Sequence, residues 1–113
     1  MSFQVLLGGM PKLLGPGKKS PELLGPGTRF TPKIKRQLAR RGWTERKVQS
    51  TINNPAHTSS ALNRANGSSA AAYFDRNGAY VVRDNITGEI IQVSNRLDPN
   101  WVPDPTIINP FTP

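Results

Sequence analysis

Glycine and proline are concentrated at the start of this 113-residue chain, and this limits where a folded core can form. Residues 1–31 contain six of the ten glycines and four of the eleven prolines, and Leu-Leu-Gly-Pro-Gly occurs twice, at 13–17 and 23–27. Glycine is too flexible and proline lacks an amide hydrogen, so this density disfavours both helix and strand. We therefore expect a linker or leader over residues 1–31 and a single folded domain over residues 32–113.

Two short helices are predicted at the start of the folded domain. Thr31 followed by Pro32 is typical of a helix N-terminus, Ile34 and Leu38 share one helical face, and Gly42 ends the helix. A second helix has a threonine cap, an apolar pair and an Asn-Asn-Pro end, at Thr44, Val48, Ile52 and 53–55.

The pattern then changes to that of strands. Residues 56–69 are small and polar and are expected to form a loop, and 106–108 is a candidate edge strand in a proline-rich tail. Alternating apolar residues separated by turn residues predict three antiparallel strands, at 70–74, 79–83 and 89–94. The predicted fold class is α+β, with two N-terminal helices packed on a small antiparallel sheet.

Positive charge is concentrated in one third of the chain. Residues 32–64 carry a net charge of +7, whereas residues 1–31 carry +3 and residues 65–113 carry −2, which together give +8. This division favours a phosphate-binding face; a solvated basic helix face is the alternative.

Several kinds of chemistry are excluded by what the chain lacks. It has no cysteine and one histidine, so Cys-based zinc sites and histidine clusters are excluded. The acidic residues are scattered, and there is no phosphate-binding glycine loop, so we expect no metal and no cofactor. His57 is either an exposed bystander or a phosphate donor or general acid. No apolar run approaches the length of a membrane span.

Arg41 is the one cation of the first helix placed beside its apolar stripe. At about 100° per residue, Arg41 lies next to Ile34, whereas Lys35, Arg36 and Arg40 lie on the solvent side. An arginine in this position needs an acidic partner or an anionic ligand, unless its side chain extends outward to water.

Three blocks of the sequence resemble the C-terminal ribonuclease domain of colicin E-five and related bacterial toxin tips. The blocks are Lys-Ile-Lys-Arg-Gln at 33–37 with Arg-Gly-Trp-Thr at 41–44, Tyr-Val-Val-Arg-Asp-Asn-Ile-Thr-Gly-Glu at 80–89 with Gln-Val-Ser at 92–94, and Asp-Pro-Asn-Trp at 98–101. The resemblance covers about residues 31–105. It implies a compact fold of the barnase, EndoU and RelE type. It also implies metal-free cleavage of tRNA in the anticodon loop, on the 3′ side of a queuosine wobble base.

The resemblance also implies which residues act. The family's essential lysine and arginine match Lys33 and Arg41. A further essential lysine of the family lies in the loop before the first predicted strand, and in this chain that loop has no lysine and a single cation, Arg64. Neighbouring cations disfavour the ammonium form of Lys33, which makes it a candidate general base, and Arg41 would stabilise the phosphate. The expected products are a 2′,3′-cyclic phosphate and a 5′-hydroxyl, with His57 or water as the acid.

Further RNA contacts are expected outside this pair. Gln92 and Ser94 either contact base edges or face solvent, and Trp101 either stacks on a base or closes the core. The tRNA backbone would be bound by cations, namely Lys35, Arg36, Arg40, Arg46, Lys47 and Arg64.

The expected partners follow from the same resemblance. They are tRNA and an acidic immunity protein, and no membrane is expected as a partner. The protein is expected to be a monomer that acts in the cytoplasm of a target bacterium, as the tip of a delivered toxin. The alternative is a non-catalytic basic RNA-binding module, a degenerate toxin; a DNA- or ribosome-binding protein is a third possibility.

Overall fold

The computed structural model describes residues 27–113, which form two helices and a four-stranded sheet. The sheet is antiparallel throughout, with its strands in chain order. The elements are α1 (Pro32–Arg40), α2 (Glu45–Asn53), β1 (His57–Leu62), β2 (Ser69–Phe74), β3 (Tyr80–Asp84) and β4 (Ile90–Val93). The predicted α+β class is confirmed, and the finer assignment to the barnase, EndoU and RelE type stays a prediction.

Both helices begin and end where the sequence predicts. The hydroxyl of Thr31 accepts a hydrogen bond from the amide of Ile34 at 3.2 Å, and Thr44 caps α2 in the same way. After α1, Gly42 adopts a φ of 78°, and the amide of Trp43 donates to the carbonyl of Leu38 at 2.9 Å. A Cβ at Gly42 would lie 3.2 Å from the side chain of Leu97. Glycine is therefore needed here both for the positive φ and for the close approach of Leu97.

The predicted loop over residues 56–69 is wrong in its first half, because β1 pairs with β2 over all of His57–Leu62. Ser59 and Ala61 are buried at alternate positions, yet neither is hydrophobic enough to show a strand period in the sequence. The candidate edge strand at 106–108 is also not formed. That segment instead contacts β1 through a hydrogen bond from the amide of Ile108 to the carbonyl of Ser60, at 2.8 Å.

Strand β3 is covered on both faces. Val81 faces the helices and packs in a cluster with Ile34, Leu38, Trp43, Val48, Ile90 and Val93. Tyr80 and Val82 face the other side, where the C-terminal segment supplies Ile107 and the half-buried Trp101 and Phe111. The predicted alternation of β3 is confirmed. The strict alternation predicted for 89–94 is wrong, because a register shift opposite Val82 and Arg83 puts Ile90 and Val93 in the same cluster.

The folded part of the chain begins before the predicted boundary at residue 31. Arg29 forms a parallel bridge to Glu89, with its amide 2.8 Å from the carbonyl of Gly88, and Phe30 packs against the helix-side cluster. This short pairing fixes the start of α1 beside β4. Residues 1–26, which hold most of the two Leu-Leu-Gly-Pro-Gly copies, lie outside the described residues.

Asp84, at the end of β3, is hydrogen-bonded to the turn after β1. Its buried carboxylate accepts hydrogen bonds from the side-chain amide of Asn63 at 2.8 Å and from the backbone amides of Ile86 and Thr87. These hydrogen bonds, led by that of Asn63, lower the pKa of Asp84 from 3.8 to about 2. The ionised carboxylate is therefore the form that the fold requires.

Replacing Asp84 by asparagine will weaken the pH dependence of stability in acid. A folded pKa below the unfolded one means that the carboxylate contributes its full stability above 3.8 and loses it as the pH falls towards 2. Thermal unfolding followed by circular dichroism across this range should show a steeper loss in the wild type than in Asp84→Asn. Asp98→Asn, in an exposed turn, is the control; the same slope in all three proteins would contradict the prediction.

Candidate active site

A cleft of about 530 Å³ opens along the free side of β4. Four parts of the chain line it: α1, the turn after β1, β4 with the residue before it, and the C-terminal segment. The lining side chains with polar or aromatic groups are Thr31, Lys33, Gln37, Arg41, Asn63, Arg64, Asn66, Glu89, Gln92, Trp101 and Asp104. The cleft thus contains both expected catalytic residues, together with Arg64, Gln92 and Trp101.

Arg41 is held in the cleft by two contacts that leave its charge unneutralised. Its Nη1 donates to the carbonyl oxygen of Val93 at 2.7 Å, and its guanidinium carbon lies 4.9 Å from the ring centroid of Trp101. Among residues 27–113 no carboxylate lies within ion-pair distance of this side chain. Arg41 was expected to need an acid or an anionic ligand. The structure instead supplies a backbone carbonyl from β4 and an aromatic face from the C-terminal segment.

Gln37 is the cleft residue that the sequence interpretation missed. Lys33, Gln37 and Arg41 are spaced four residues apart, so they form one stripe along α1 with about 6 Å between successive Cα atoms. The Oε1 atom of Gln37 is buried and has no hydrogen-bond partner in the described part of the chain. An unpaired buried acceptor is unfavourable, so this position suits a ligand that brings a donor. The four-residue spacing from Lys33 and from Arg41 is the sequence signal that could have identified Gln37.

Arg64 reaches the cleft from the turn after β1, but an acid stands beside it. Its Nη2 lies 3.4 Å from Oδ1 of Asp104, and both side chains are accessible to solvent. The side chain and backbone amide of Thr106, with a smaller effect of the Arg64 charge, lower the pKa of Asp104. Asp104 therefore offsets part of the positive charge of Arg64.

Trp101 belongs to both the core and the cleft. The half-buried indole packs against the cluster on the Tyr80 face, and its Nε1 donates to the Tyr80 hydroxyl at 3.1 Å. The same indole carries the guanidinium of Arg41 over its ring. The two interpretations of Trp101 are thus compatible, because one side chain closes the core and lines the cleft.

Two of the sequence candidates lie away from this cleft. Ser94 is buried, and its Oγ accepts a hydrogen bond from the amide of Tyr80 at 2.9 Å, which corrects the expectation that it contacts a base edge. β4 ends at Val93, and the next residue still bonds to β3, because the amide of Ser94 donates to the carbonyl of Tyr80 at 2.9 Å. His57 is exposed at the start of β1, where it stacks on Phe111 with 5.4 Å between ring centroids. It is therefore not placed to act as an acid in the cleft.

The remaining cations form an exposed ridge on the outer surface of the helices. Lys35 approaches Glu45 at 3.9 Å, and both side chains are more than half exposed. The ridge comprises Lys35, Arg36, Arg40, Arg46 and Lys47, all exposed and none of them in the cleft lining. Such a ridge is free to contact a polyanion.

Two further observations concern residues 27–113 alone. They contain no group of three His, Cys, Asp or Glu side chains arranged to hold a metal ion. None of the helices in this part of the chain has the length and apolar character to cross a membrane.

The sequence profile of the Colicin E5 ribonuclease domain matches residues 30–106. The chain belongs to this family. It is 36% identical over 91 residues to Colicin-E5 of Escherichia coli, which covers 73% of this chain and 51% of that protein. It is 39% identical over 84 residues to the tRNA nuclease CdiA of Burkholderia pseudomallei, which covers 66% of this chain and 6% of that protein. The chain thus spans about half of one relative and a small part of the other.

The match to the colicin E5 ribonuclease domain contains the whole cleft. Its lining runs from Thr31 to Asp104, within the matched residues 30–106. The resemblance drawn from the three sequence blocks is therefore confirmed at the level of the family. The roles of the individual residues stay predictions.

Replacing Asp104 by asparagine should tighten RNA binding in this ribonuclease domain with little change in stability. Asparagine keeps the oxygen that accepts from Thr106 but removes the negative charge beside Arg64. We expect roughly a three- to tenfold lower Kd at low salt, and a smaller gain at high salt. Fluorescence anisotropy with labelled tRNA measures the effect, in the background of Lys33→Ala, a substitution that is expected to slow cleavage. Asp98→Asn, outside the cleft, should leave Kd unchanged; an equal gain there would argue against a local effect.

Proposed function

We propose that this chain is an endoribonuclease toxin that cleaves tRNA in the anticodon loop, without a metal ion, using the ribose 2′-hydroxyl of its substrate as the nucleophile. The observation that carries the proposal is the stripe of Lys33, Gln37 and Arg41 in one cleft of a ribonuclease domain. A relative named as a tRNA nuclease supports tRNA as the substrate class. The finer target is a tRNA with queuosine at the wobble position, cut on its 3′ side.

The reaction requires two proton movements, one from the attacking 2′-hydroxyl and one to the leaving 5′-oxygen. The 2′-oxygen attacks phosphorus, the bond from phosphorus to the 5′-oxygen breaks, and the products are a 2′,3′-cyclic phosphate and a 5′-hydroxyl. In the proposal Lys33 takes the proton of the 2′-hydroxyl as the general base. Water delivers the proton to the leaving oxygen, since His57 lies outside the cleft.

Gln37 and Arg41 would stabilise the reacting group. The buried Oε1 of Gln37 lies in the same stripe as Lys33 and lacks a donor, so it can accept from the ammonium group of Lys33 once that side chain has taken the proton of the 2′-hydroxyl. The guanidinium of Arg41 is fixed by Val93 and Trp101 before substrate arrives, and it presents its remaining N–H groups to the extra negative charge on phosphorus. A charge that is already in place needs no reorganisation during the reaction.

The remaining contacts would hold the RNA and set its orientation. Gln92 and Trp101 lie where a base can be bound, and Arg64 lies across the cleft from α1. The ridge of Lys35, Arg36, Arg40, Arg46 and Lys47 would bind backbone phosphates. We further propose that an acidic immunity protein covers these cations in the producing cell. The protein would act as a monomer in the cytoplasm of a target bacterium, as the tip of a delivered toxin.

One observation favours a second candidate, a non-catalytic RNA-binding module. The family resemblance implies an essential lysine in the segment before the β2 hairpin, where this chain has only Arg64, and that arginine is next to Asp104. Both candidates use the same cleft and the same ridge. They differ in whether bound RNA is cut.

Purified protein incubated with total bacterial tRNA in EDTA should give discrete cuts in anticodon loops, with cyclic phosphate ends. Lys33→Ala should reduce the rate by roughly 10²- to 10⁴-fold, because a general base is lost. Arg41→Ala should reduce it by roughly 10²-fold or more, because the charge opposite the transition state is lost. Gln37→Ala should lower kcat more than it changes tRNA affinity. Denaturing gels and end mapping give the sites and rates.

Arg76→Ala is the matched control for these substitutions, because it removes one positive charge from the exposed turn between β2 and β3, outside the cleft. Its cleavage rate should stay within about twofold of the wild type, as is usual for exposed substitutions. Intact tRNA at high protein excess, with salt-sensitive binding, would instead favour the non-catalytic module.

The ridge should contribute affinity rather than chemistry. Arg36→Ala and Arg40→Ala should each weaken tRNA binding and reduce the slope of log Kd against log salt concentration by about 1, with kcat unchanged. Binding titrations at several salt concentrations measure the slope. A lower kcat with an unaltered slope would place these residues in the chemistry and contradict their assignment to the RNA backbone.

A further inference from the structure

The hydroxyl of Tyr80 makes three hydrogen bonds in the floor of the cleft. Tyr80 is fully buried in β3, and its oxygen lies 3.1 Å from the indole Nε1 of Trp101 and 3.2 Å from the backbone amide of Asp104. The third partner is Oε1 of Gln92 on the neighbouring strand β4, at 3.2 Å. Three residues that line the cleft, Trp101, Asp104 and Gln92, are thus joined at one buried oxygen.

The polarity of this network is fixed by its members. The indole of Trp101 and the amide of Asp104 can only donate, so both bond to the lone pairs of the Tyr80 oxygen. The one proton of the hydroxyl therefore has a single acceptor left, which is Gln92. A hydroxyl that donates requires an oxygen opposite it, so the carboxamide of Gln92 is oriented with Oε1 towards Tyr80.

The orientation of Gln92 determines what it offers to a ligand. With its oxygen occupied by Tyr80, the amide group of the same side chain points away from that hydroxyl. Gln92 is half-buried and lines the cleft. A free carboxamide can rotate and present either a donor or an acceptor, but this one presents only N–H donors.

We propose that Tyr80 is a positioning residue that makes Gln92 an obligate hydrogen-bond donor, so that the subsite beside Gln92 selects an RNA base with an acceptor at position 4 of a pyrimidine or position 6 of a purine. This deepens the proposed function and rests on RNA being the ligand. Uracil and guanine have a carbonyl oxygen at that position, whereas cytosine and adenine have an amino group there. A base with an amino group would place donor against donor in a half-buried site, which leaves both groups unpaired.

The test uses synthetic anticodon stem-loops in which each loop uridine is changed to cytidine, or each guanosine to adenosine, one at a time. Each change replaces an acceptor by a donor at the same position of the base. At one loop position the wild type should lose roughly tenfold or more in kcat/KM, the effect of a missing hydrogen bond in a desolvated site. In Tyr80→Phe this ratio should fall to about threefold or less, because the carboxamide of Gln92 can then rotate.

Two further variants separate positioning from general damage to the fold. Tyr73→Phe removes the other tyrosine hydroxyl of the sheet, on the helix side, and should keep the wild-type ratio. Gln92→Leu should abolish the discrimination, and adding Tyr80→Phe to it should then change the ratio no further. A fold defect lowers kcat/KM for acceptor and donor bases alike and leaves their ratio unchanged.

The proposal is overturned if Tyr80→Phe lowers cleavage of all stem-loops by the same factor, or if it alters the ratio equally with and without Gln92. Should the wild type cut none of the stem-loops, the proposed catalysis fails, and competition binding with the same RNAs still measures the base preference. NMR gives a readout without RNA: Tyr80→Phe should shift the Trp101 indole N–H and the Gln92 side-chain amide resonances, whereas Tyr73→Phe should leave them in place. Unshifted resonances in Tyr80→Phe would refute the network itself.

Discussion

Burial of β3 on both faces is the constraint on which the rest of the structure depends. Tyr80, Val81 and Val82 are consecutive residues with no solvent exposure, so the strand needs a cover on each side. The helices cover the Val81 face, and the C-terminal segment covers the face of Tyr80 and Val82. Such a strand leaves no room for exposed chemistry along its length. The functional groups therefore come from the covering elements, where these meet beside β4.

The helix packing places positive charge in the cleft, and no acid among residues 27–113 pairs with Arg41. Burial of Ile34 and Leu38 against the sheet turns the adjacent stripe with Lys33 and Arg41 towards β4. Arg41 caps the C-terminal end of α1, where the helix dipole favours a cation. Meanwhile Asp84 is occupied by backbone and Asn63 donors, and other acids are paired in the same manner, namely Asp75 with Arg96 and Asp104 with Thr106.

The sequence predicted those parts of the fold that depend on local signals. The threonine caps predicted where both helices begin, and Gly42 predicted where the first helix ends. The helical spacing singled out Arg41. β1 escaped prediction because its buried positions hold serine and alanine, which fit against the small residues of β2 but carry no hydrophobic period. The alternation of β4 failed at a register shift, which depends on pairing with β3 and is invisible in one strand alone.

Five of the cleft residues were named from the sequence: the cations Lys33, Arg41 and Arg64, and the uncharged Gln92 and Trp101. Lys33 and Arg41 stand out as cations, whereas Gln37 is a neutral residue among them and gains significance only from a buried oxygen without a donor. Ser94 shares the strand parity of Gln92, but its hydroxyl is engaged by the amide of Tyr80 where the chain leaves β4. Hydrogen-bond direction is a property of the assembled network, so no pattern of residue types could show it.

The same network joins the charged side of the cleft to the side that we propose binds a base. The guanidinium of Arg41 rests on Trp101, the indole of Trp101 donates to Tyr80, and Tyr80 donates to Gln92. A site in which no histidine lines the cleft relies on charges and donors held in place before the reaction, because they act without reorganisation. A buried hydroxyl with all of its bonds satisfied is rigid in a way that an exposed side chain is not. In the proposed reaction, the geometry that would stabilise the phosphate and the geometry that would select the base therefore share one support, in the strand that the core holds most firmly.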